Sequence, residues 1–144
     1  MSRSLFVTMA LFLTGCSALS AYQSPDPWRY GVNLTPIGNA REVVAGFIMG
    51  AADAGLYTIR VRIAPGGLMP PHRHPDERHI TVLSGVLYYG LGETADQALT
   101  KRYPAGSYFV VPANAPHFAM GVSGEAIYQE SGVAPTGTKW VTSN

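Results

Sequence analysis

The chain has 144 residues, of which 47% are hydrophobic and 13% are charged. A chain of this length suits one domain, and this composition excludes a disordered protein. The net charge is +1 and no basic run occurs, so the sequence lacks the electrostatic pattern of a nucleic-acid-binding protein. Because Cys16 is the single cysteine, an internal disulfide and a cysteine-based metal cluster are excluded too.

The first residues have the pattern of an export signal. Arg3 precedes the apolar run 5–13, which is shorter than the ~20 residues needed to cross a bilayer. The next residues, Leu13-Thr14-Gly15-Cys16, resemble a bacterial lipobox, in which the cysteine is acylated and becomes the mature N-terminus. An ordinary signal peptide cut near residues 18–20 is the alternative interpretation.

The lipobox implies a lipoprotein signal peptide over residues 1–15 and lipidation at Cys16. Ser17 stands where the inner-membrane retention signal would have Asp, so we expect a periplasmic protein anchored to the outer membrane. Residues 16–27 are rich in Ser, Ala and Pro and predict a flexible tether. The folded domain is expected over residues 28–144.

Gly and Pro interrupt the chain frequently after residue 28, and no long segment keeps a helical apolar period. This spacing predicts an all-β sandwich or barrel. In Leu56–Ile63 apolar and polar residues alternate, as in a half-buried strand. Ser84-Gly85 predicts a tight hairpin turn, and Gly92–Gln97 a polar connection with room for a short helix. The predicted strands are Val43–Met49, Leu56–Ile63, His79–Leu83, Val86–Leu91, Ser107–Val111, His117–Val122, Glu125–Ser131 and Thr138–Val141.

Two ordered motifs resemble those of the cupins. The pattern Gly66-x5-His72-x-His74-x3-Arg78-x6-Gly85 is similar to the first cupin motif, G-x5-H-x-H-x3-E-x6-G, with Arg78 in place of Glu.

In the second motif, G-x5-P-x-G-x2-H-x3-N, Gly106, Pro112 and His117 match, whereas Asn114 replaces a Gly and Gly121 the final Asn. The resemblance covers residues 28–140. It implies an all-β fold, a single cupin barrel of the double-stranded β-helix or jelly-roll type.

The histidines of these motifs favour a metal site. His72 and His74 are two residues apart, so in an extended strand both imidazoles project from one face. His117 completes the set in the position that the cupin resemblance implies. Three imidazoles suit one divalent ion of Fe, Mn, Ni, Cu or Zn and leave coordination positions open. Because only neutral imidazole binds metal, affinity is expected to fall below pH ~6.5. A cupin that has lost its metal is the alternative.

Arg78 occupies the position of the usual cupin Glu but cannot coordinate a cation. Strand parity places it on the inward face with Ile80 and Val82. A guanidinium there needs an anion or water, and the alternative is that its stem packs inside while the charged group reaches solvent. The candidates are a carboxylate of the chain, Glu77 or Asp76, and a carboxylate of the ligand, which Arg can bind through two parallel hydrogen bonds.

Glu77 and Gln129 are the two candidates for a fourth ligand or for a residue that contacts a ligand. Glu77 reaches the metal only if the chain after Pro75 is irregular, since simple alternation points it away. Gln129 needs a hydrogen-bond partner if it points inward, and an exposed position is the alternative. His79 has the opposite parity to Arg78 and is expected outside the site.

Three histidines with open coordination positions favour a metal-dependent enzyme, dioxygenase-like or isomerase-like, that acts on a small organic molecule. The fold alone does not decide function. The alternative is a non-catalytic periplasmic module that binds or senses a metal or small ligand. The expected partners are a small-molecule ligand, with carboxylates as one candidate class, and the membrane through the lipid anchor only. Nucleic acid is not expected, and a homodimer is a candidate assembly because cupins commonly pair through outer strands.

Overall fold

The computed structural model describes residues 34–142. The expected signal peptide, Cys16 and the tether lie outside the described residues. Within the described part no helix is long and apolar enough to cross a bilayer. The strands in chain order are β1 (Thr35–Pro36), β2 (Arg41–Met49), β3 (Leu56–Arg73), β4 (Arg78–Ser84), β5 (Val86–Leu91), β6 (Thr100–Pro104), β7 (Tyr108–Val111), β8 (His117–Met120), β9 (Ala126–Val133) and β10 (Lys139–Trp140), with a 3-10 helix (Gln97–Leu99) before β6.

These strands form one antiparallel sheet with the hydrogen-bonded order β6-β5-β8-β3-β9-β4-β7, to which β2 and β10 add at β3 and β1 adds at β2. The sheet curls until its terminal strands meet, since Tyr103 of β6 stacks on Phe109 of β7 with ring centroids 4.0 Å apart. Curling of this kind encloses one face of an antiparallel sheet. The predicted all-β fold, a single jelly-roll barrel of the cupin type, is confirmed.

β3 runs through the barrel and continues well past Ile63, where the sequence predicted its end. Its first half pairs with β9 and its second half with β8. The Pro- and Gly-rich residues 64–71 predicted a break, but Gly66 takes a φ of +75° and the prolines 70–71 lie at a register shift. Proline is tolerated in a sheet at such irregularities because no ladder hydrogen bond is required there.

The hairpin predicted at Ser84-Gly85 is wrong. β4 pairs with β7 and β9, whereas β5 pairs with β6 and β8. The chain instead turns a corner here and passes to the other side of the barrel. Gly85 is required at this corner because its φ is +73° and a Cβ would lie 2.0 Å from the carbonyl oxygen of Glu125.

Two short strands, β1 and β6, are missing from the sequence prediction. β6 lies at one end of the hydrogen-bonded order, and most of its residues are exposed, so it lacks the apolar alternation on which strand prediction depends. The short helix expected within 92–97 lies slightly later, at Gln97–Leu99. The Asp96 side chain caps it by accepting a hydrogen bond from Ala98 N at 2.8 Å.

The barrel interior is filled by the alternate residues of its strands. In β3 Tyr57, Val61 and Ile63 are buried and Arg62 is exposed, as the predicted alternation requires, but Thr58 on the polar face is buried as well and bonds to Ser131. The apolar core consists of Val43, Val61, Ile63, Met69, Ile80, Val82, Leu87, Tyr89, Val111, Ala119, Ala126 and Tyr128. Several polar side chains are buried with it: Thr58, His72, His74, Arg78, His117 and Glu130.

Candidate metal centre

The three histidines predicted from the sequence come together inside the barrel. His72 lies near the end of β3, His74 follows that strand, and His117 begins β8. The β3–β8 register places His72 directly opposite His117, and the two-residue spacing puts His74 on the same side. The nitrogen atoms that the three side chains offer to a metal lie within 4.8 Å of one another.

Each imidazole is held by a hydrogen bond from Nδ1 to a backbone carbonyl. Because a carbonyl oxygen only accepts, this bond places the proton of the neutral ring on Nδ1 and leaves the Nε2 lone pair free. Metal-binding histidines use this arrangement. The bonds are His72 Nδ1 to Pro70 O at 2.7 Å, His74 Nδ1 to Gly137 O at 2.6 Å and His117 Nδ1 to Ala115 O at 2.9 Å.

The free nitrogens fit a metal ion. His74 Nε2 is buried and has no hydrogen-bond partner among the described residues, a costly state for a polar atom unless an ion or ligand satisfies it. Burial lowers the pKa of all three histidines to about 4. They are therefore neutral at pH 7, the state that coordinates metal. The three imidazoles therefore become protonated only well below pH ~6.5, the value expected for an unperturbed imidazole.

Neighbouring aromatic rings fix the histidine rings in place. The ring centroids of His72 and His117 are 4.2 Å apart, and Tyr89 stacks on His117 at 5.4 Å with an interplanar angle of 15°. Trp140, which pairs with His72 across β10 and β3, places its ring 5.7 Å from that histidine. Packing on several sides restricts rotation of the rings, so the free nitrogens are preorganised.

Both departures from the second cupin motif have a structural explanation. Asn114 stands in place of Gly with a φ of +61°, and Asn tolerates this left-handed region better than most residues. Its backbone N–H donates to His74 O at 2.7 Å, so this turn also fixes the chain at His74. Gly121 replaces Asn where a Cβ would lie 2.4 Å from the carbonyl oxygen of Ala64.

A cavity of about 250 Å³ reaches His72 and His74. Apolar side chains of β2 and β3, among them Phe47 and Ile59, form much of its wall. His72, His74, Arg78 and Glu130 supply its polar lining. An apolar cavity with a few convergent polar groups is the usual form of a small-molecule site.

Glu77, one candidate fourth ligand, lies outside this group. Its side chain is 57% exposed, and its carboxylate lies 3.4 Å from His79 Nε2 on the outer surface. His79 is exposed, as the sequence predicted, and its Nδ1 also hydrogen-bonds the hydroxyl of Tyr108. Simple alternation after Pro75 therefore holds, and Glu77 points away from the metal site.

Gln129, the other candidate, does not enter the barrel either. It is partly buried on the outer face of β9 and accepts a hydrogen bond from Arg60 Nη2 at 3.1 Å. Gln129 therefore has its hydrogen-bond partner on the outer face, on the neighbouring strand β3.

Arg78 faces inward with Ile80 and Val82, as strand parity predicted, and is only 3% exposed. Its anionic partner is Glu130 of β9, to which Nη1 donates a hydrogen bond. Asp76 is a second partner, with Oδ2 at 3.5 Å from Nε. Glu77, the other carboxylate considered from the sequence, is not a partner.

Glu130 is the site residue that sequence reasoning missed. Ala126, Tyr128 and Glu130 alternate with exposed or half-buried residues along β9, and all three are buried. The period-two rule applied from Ala126 and Tyr128 places Glu130 inside and Gln129 outside. The signal that could have found Glu130 is therefore the period-two alternation of β9.

Comparison with known proteins supports the same fold. Residues 59–127 match the family model of the Cupin domain. The chain is 37% identical over 103 residues to Germin-like protein 3-1 of Oryza sativa subsp. japonica, covering 71% of this chain and 44% of that protein. It spans about half the length of the curated relatives it matches.

Two solved structures illustrate the likeness. The polyketide cyclase RemF from Streptomyces resistomycificus superposes with a TM-score of 0.65 at 21% identity, covering 79% of this chain and 82% of that one. Oxalate oxidase in complex with the substrate analogue glycolate gives a TM-score of 0.52 at 32% identity, covering 60% and 46%. The jelly-roll fold, the two motifs and the family match together support a single cupin domain in the described part of this chain.

Proposed function

We propose that this protein is a metal-dependent enzyme, dioxygenase-like or isomerase-like, that acts on a small organic molecule. The observation that carries the proposal is the group of three buried imidazoles, each with Nδ1 bonded to a carbonyl, beside a cavity of about 250 Å³. His72, His74 and His117 would hold the ion through Nε2. A bound ion of this type supplies Lewis-acid or oxygen chemistry at its open coordination positions.

The cavity limits the ligand to a small molecule. Its volume of about 250 Å³ lies below the ~300–1,000 Å³ of typical drug-sized sites. Apolar residues of β2 and β3 exclude water from one side, while the histidines and Glu130 present polar groups from the other. Since the related oxalate oxidase was solved with glycolate, small organic acids are the first ligand class to test. The clamping of such an acid by Arg78 stays a prediction, and Glu130 competes for the same guanidinium.

The alternative is a module that binds a metal or small ligand without catalysis. Arg78 favours this binding module, because a buried cation stands beside the candidate metal site where the cupin motif has a Glu.

We also propose that the protein is periplasmic and anchored to the outer membrane. The lipobox-like sequence ending at Cys16 supports this location.

Metal content tests the site. Protein purified without a His tag or added metal is expected to contain one divalent ion per chain, identified by elemental analysis. Replacing His72, His74 or His117 by Ala should lower occupancy about tenfold or more, because each change removes one of three ligands. His79→Ala is the matched control and should keep the ion. Full occupancy in a double His72→Ala, His117→Ala protein would show that the metal lies elsewhere.

Measuring oxygen uptake and product formation in the same experiment distinguishes catalysis from binding. The metal-loaded protein, prepared without air, is mixed with a panel of small organic acids and alcohols, and oxygen uptake and product formation are recorded. Turnover that His117→Ala abolishes supports the enzyme. Saturable binding with no chemical change over the whole panel favours the binding module.

A further inference from the structure

The site contains a buried ion pair that the first cupin motif does not account for. Arg78 of β4 and Glu130 of β9 are 3% and 5% exposed, and Arg78 Nη1 donates to Glu130 Oε2. The two strands are neighbours, with Ile80 directly opposite Glu130, so Arg78 reaches it diagonally. Where the cupin pattern has one carboxylate at position 78, this chain has a cation there and a carboxylate on the adjacent strand.

Both terminal nitrogens of Arg78 donate hydrogen bonds to the protein, whereas its buried Nε lies 3.5 Å from Asp76 Oδ2 and has no hydrogen-bond partner among the described residues. Besides the bond to Glu130, Nη2 donates to Thr136 Oγ1 at 2.6 Å, and the guanidinium carbon lies 5.3 Å from the centre of the Tyr57 ring. Asp76 adds a second negative charge and is itself held by Tyr57 and by Thr136 Oγ1, the latter at 2.6 Å. Two carboxylates therefore lie beside the single positive charge of Arg78, and the network fixes its orientation.

Glu130 differs from Arg78 in its hydrogen bonding. Like Arg78, it lines the cavity that His72 and His74 also line. Among the described residues it is not part of the group whose ligand atoms converge within 4.8 Å. The bond from Arg78 uses Oε2, whereas an ionised carboxylate offers about four acceptor sites and no donor. The Glu130 carboxylate can therefore only accept hydrogen bonds from a molecule bound in the cavity.

We propose that Glu130 determines specificity by accepting a hydrogen bond from a hydroxyl of the ligand, and that Arg78 is the residue that positions Glu130. The inference rests on the proposed function, because the ligand must lie beside the metal. Its ligand class is a small molecule with a hydroxyl next to its metal-binding group, such as a hydroxy acid. Arg78 then has a different role from the carboxylate clamp expected from the sequence.

Two acids of nearly matched shape test the proposal. Glycolate and methoxyacetate both carry a carboxylate and a neighbouring oxygen, but only glycolate has a hydroxyl proton to donate. Each is titrated into Co²⁺-loaded protein while the visible absorption of the ion is recorded. Glycolate should bind about tenfold more tightly or better, as expected for a hydrogen bond to a charged acceptor.

Variants of the pair identify the acceptor. Glu130→Gln should abolish most of the preference for glycolate, because its oxygen accepts from Arg78 and its amide presents a donor to the ligand. Removing one partner alone leaves a buried charge, so the double variant Arg78→Met, Glu130→Leu is tested too and should also lose the preference. Glu125→Gln is the matched control, since Glu125 pairs with Arg62 on the exposed surface. Circular dichroism checks folding.

The outcomes are separable. If the protein takes up no Co²⁺, the proposed function fails. If Co²⁺ binds but the two acids bind equally, or neither changes the spectrum, the role of Glu130 is overturned. A preference that persists in the double variant reflects shape alone and also overturns it. If Arg78→Gln weakens both acids while Glu130→Gln changes neither, Arg78 is the carboxylate clamp instead.

Discussion

The residues of the metal centre are fixed by bonds that cost the chain little extra structure. Carbonyl oxygens of Pro70 and Ala115 hold His72 and His117, each two residues away, and Gly137 holds His74 from a distant loop. Each bond selects the same tautomer and the same free nitrogen. Local backbone geometry thus orients His72 and His117, whereas a contact between distant segments orients His74.

Substitutions at Asn114 test how the positive φ of this residue affects stability. Asn114→Ala should lower the free energy of unfolding by about 1 kcal/mol, because alanine is strained at positive φ, whereas Asn114→Gly should cost less or stabilise. Urea unfolding followed by circular dichroism measures both. The bonds at this position, to His74 O and from Arg73 Nη1, involve only the backbone of Asn114, so either variant can keep them. Equal stability of the two variants would contradict an origin in the backbone angle.

At the scale of elements, β3 does the most to build the site. It pairs with β9 through its first half and with β8 and β10 near its end. The same strand therefore supplies the cavity wall at Ile59 and Val61 and the ligand His72. A strand that ended at Ile63 would leave the histidines on a loop, where rings are held less precisely.

β9 shows how strand parity assigns roles. Glu130 enters the cavity while Gln129, one residue earlier, bonds to Arg60 outside. A one-residue shift of register would exchange the two side chains. The apolar residues Ala126 and Tyr128 prevent that shift, because it would expose both of them.

For the molecule as a whole, the buried histidines predict acid sensitivity of the metal-free protein. Burial is the main cause that lowers their pKa from 6.5 to about 4. Between these values the unfolded chain binds protons that the folded chain does not, so stability falls as pH decreases. Near pH 5 each group contributes a slope of up to ~1.4 kcal/mol per pH unit.

Unfolding by urea at pH 7, 6 and 5, after treatment with a chelator, measures this slope. His72→Gln should reduce it, because one buried histidine no longer titrates. His79→Gln, a change on the exposed surface, should leave it nearly unaltered. If both variants change the slope equally, burial of the site histidines is not its cause. Glu130, whose pKa is lowered chiefly by Arg78, adds acid sensitivity in the same direction at lower pH.

The membrane anchor is a second property of the whole molecule. We expect mass spectrometry of membrane-extracted protein to show a lipidated N-terminal Cys16 and no residues before it. Cys16→Ser should abolish both processing and membrane association. An unprocessed Cys16→Ser protein that still fractionates with membranes would point to a different mode of attachment.

The sequence by itself determined the all-β class, the histidine set and the inward position of Arg78. These follow from the frequent Gly and Pro residues, from period-two alternation within a strand and, for His117, from the resemblance to the cupin motifs. The same rule, followed along β9, also places Glu130 inside. Such local rules need no knowledge of which strands are neighbours.

Tertiary structure alone decided which strands pair. The corner at Gly85, the continuation of β3 past Ile63 and the position of His74 all depend on contacts with segments far away in sequence, namely Glu125, β8 and Gly137. The choice of Glu130 as partner of Arg78 depends on β4 and β9 being neighbours, which no pattern within either strand specifies. Registers of this kind are set by closing the whole barrel around its core, because only the closed sheet buries each inward face.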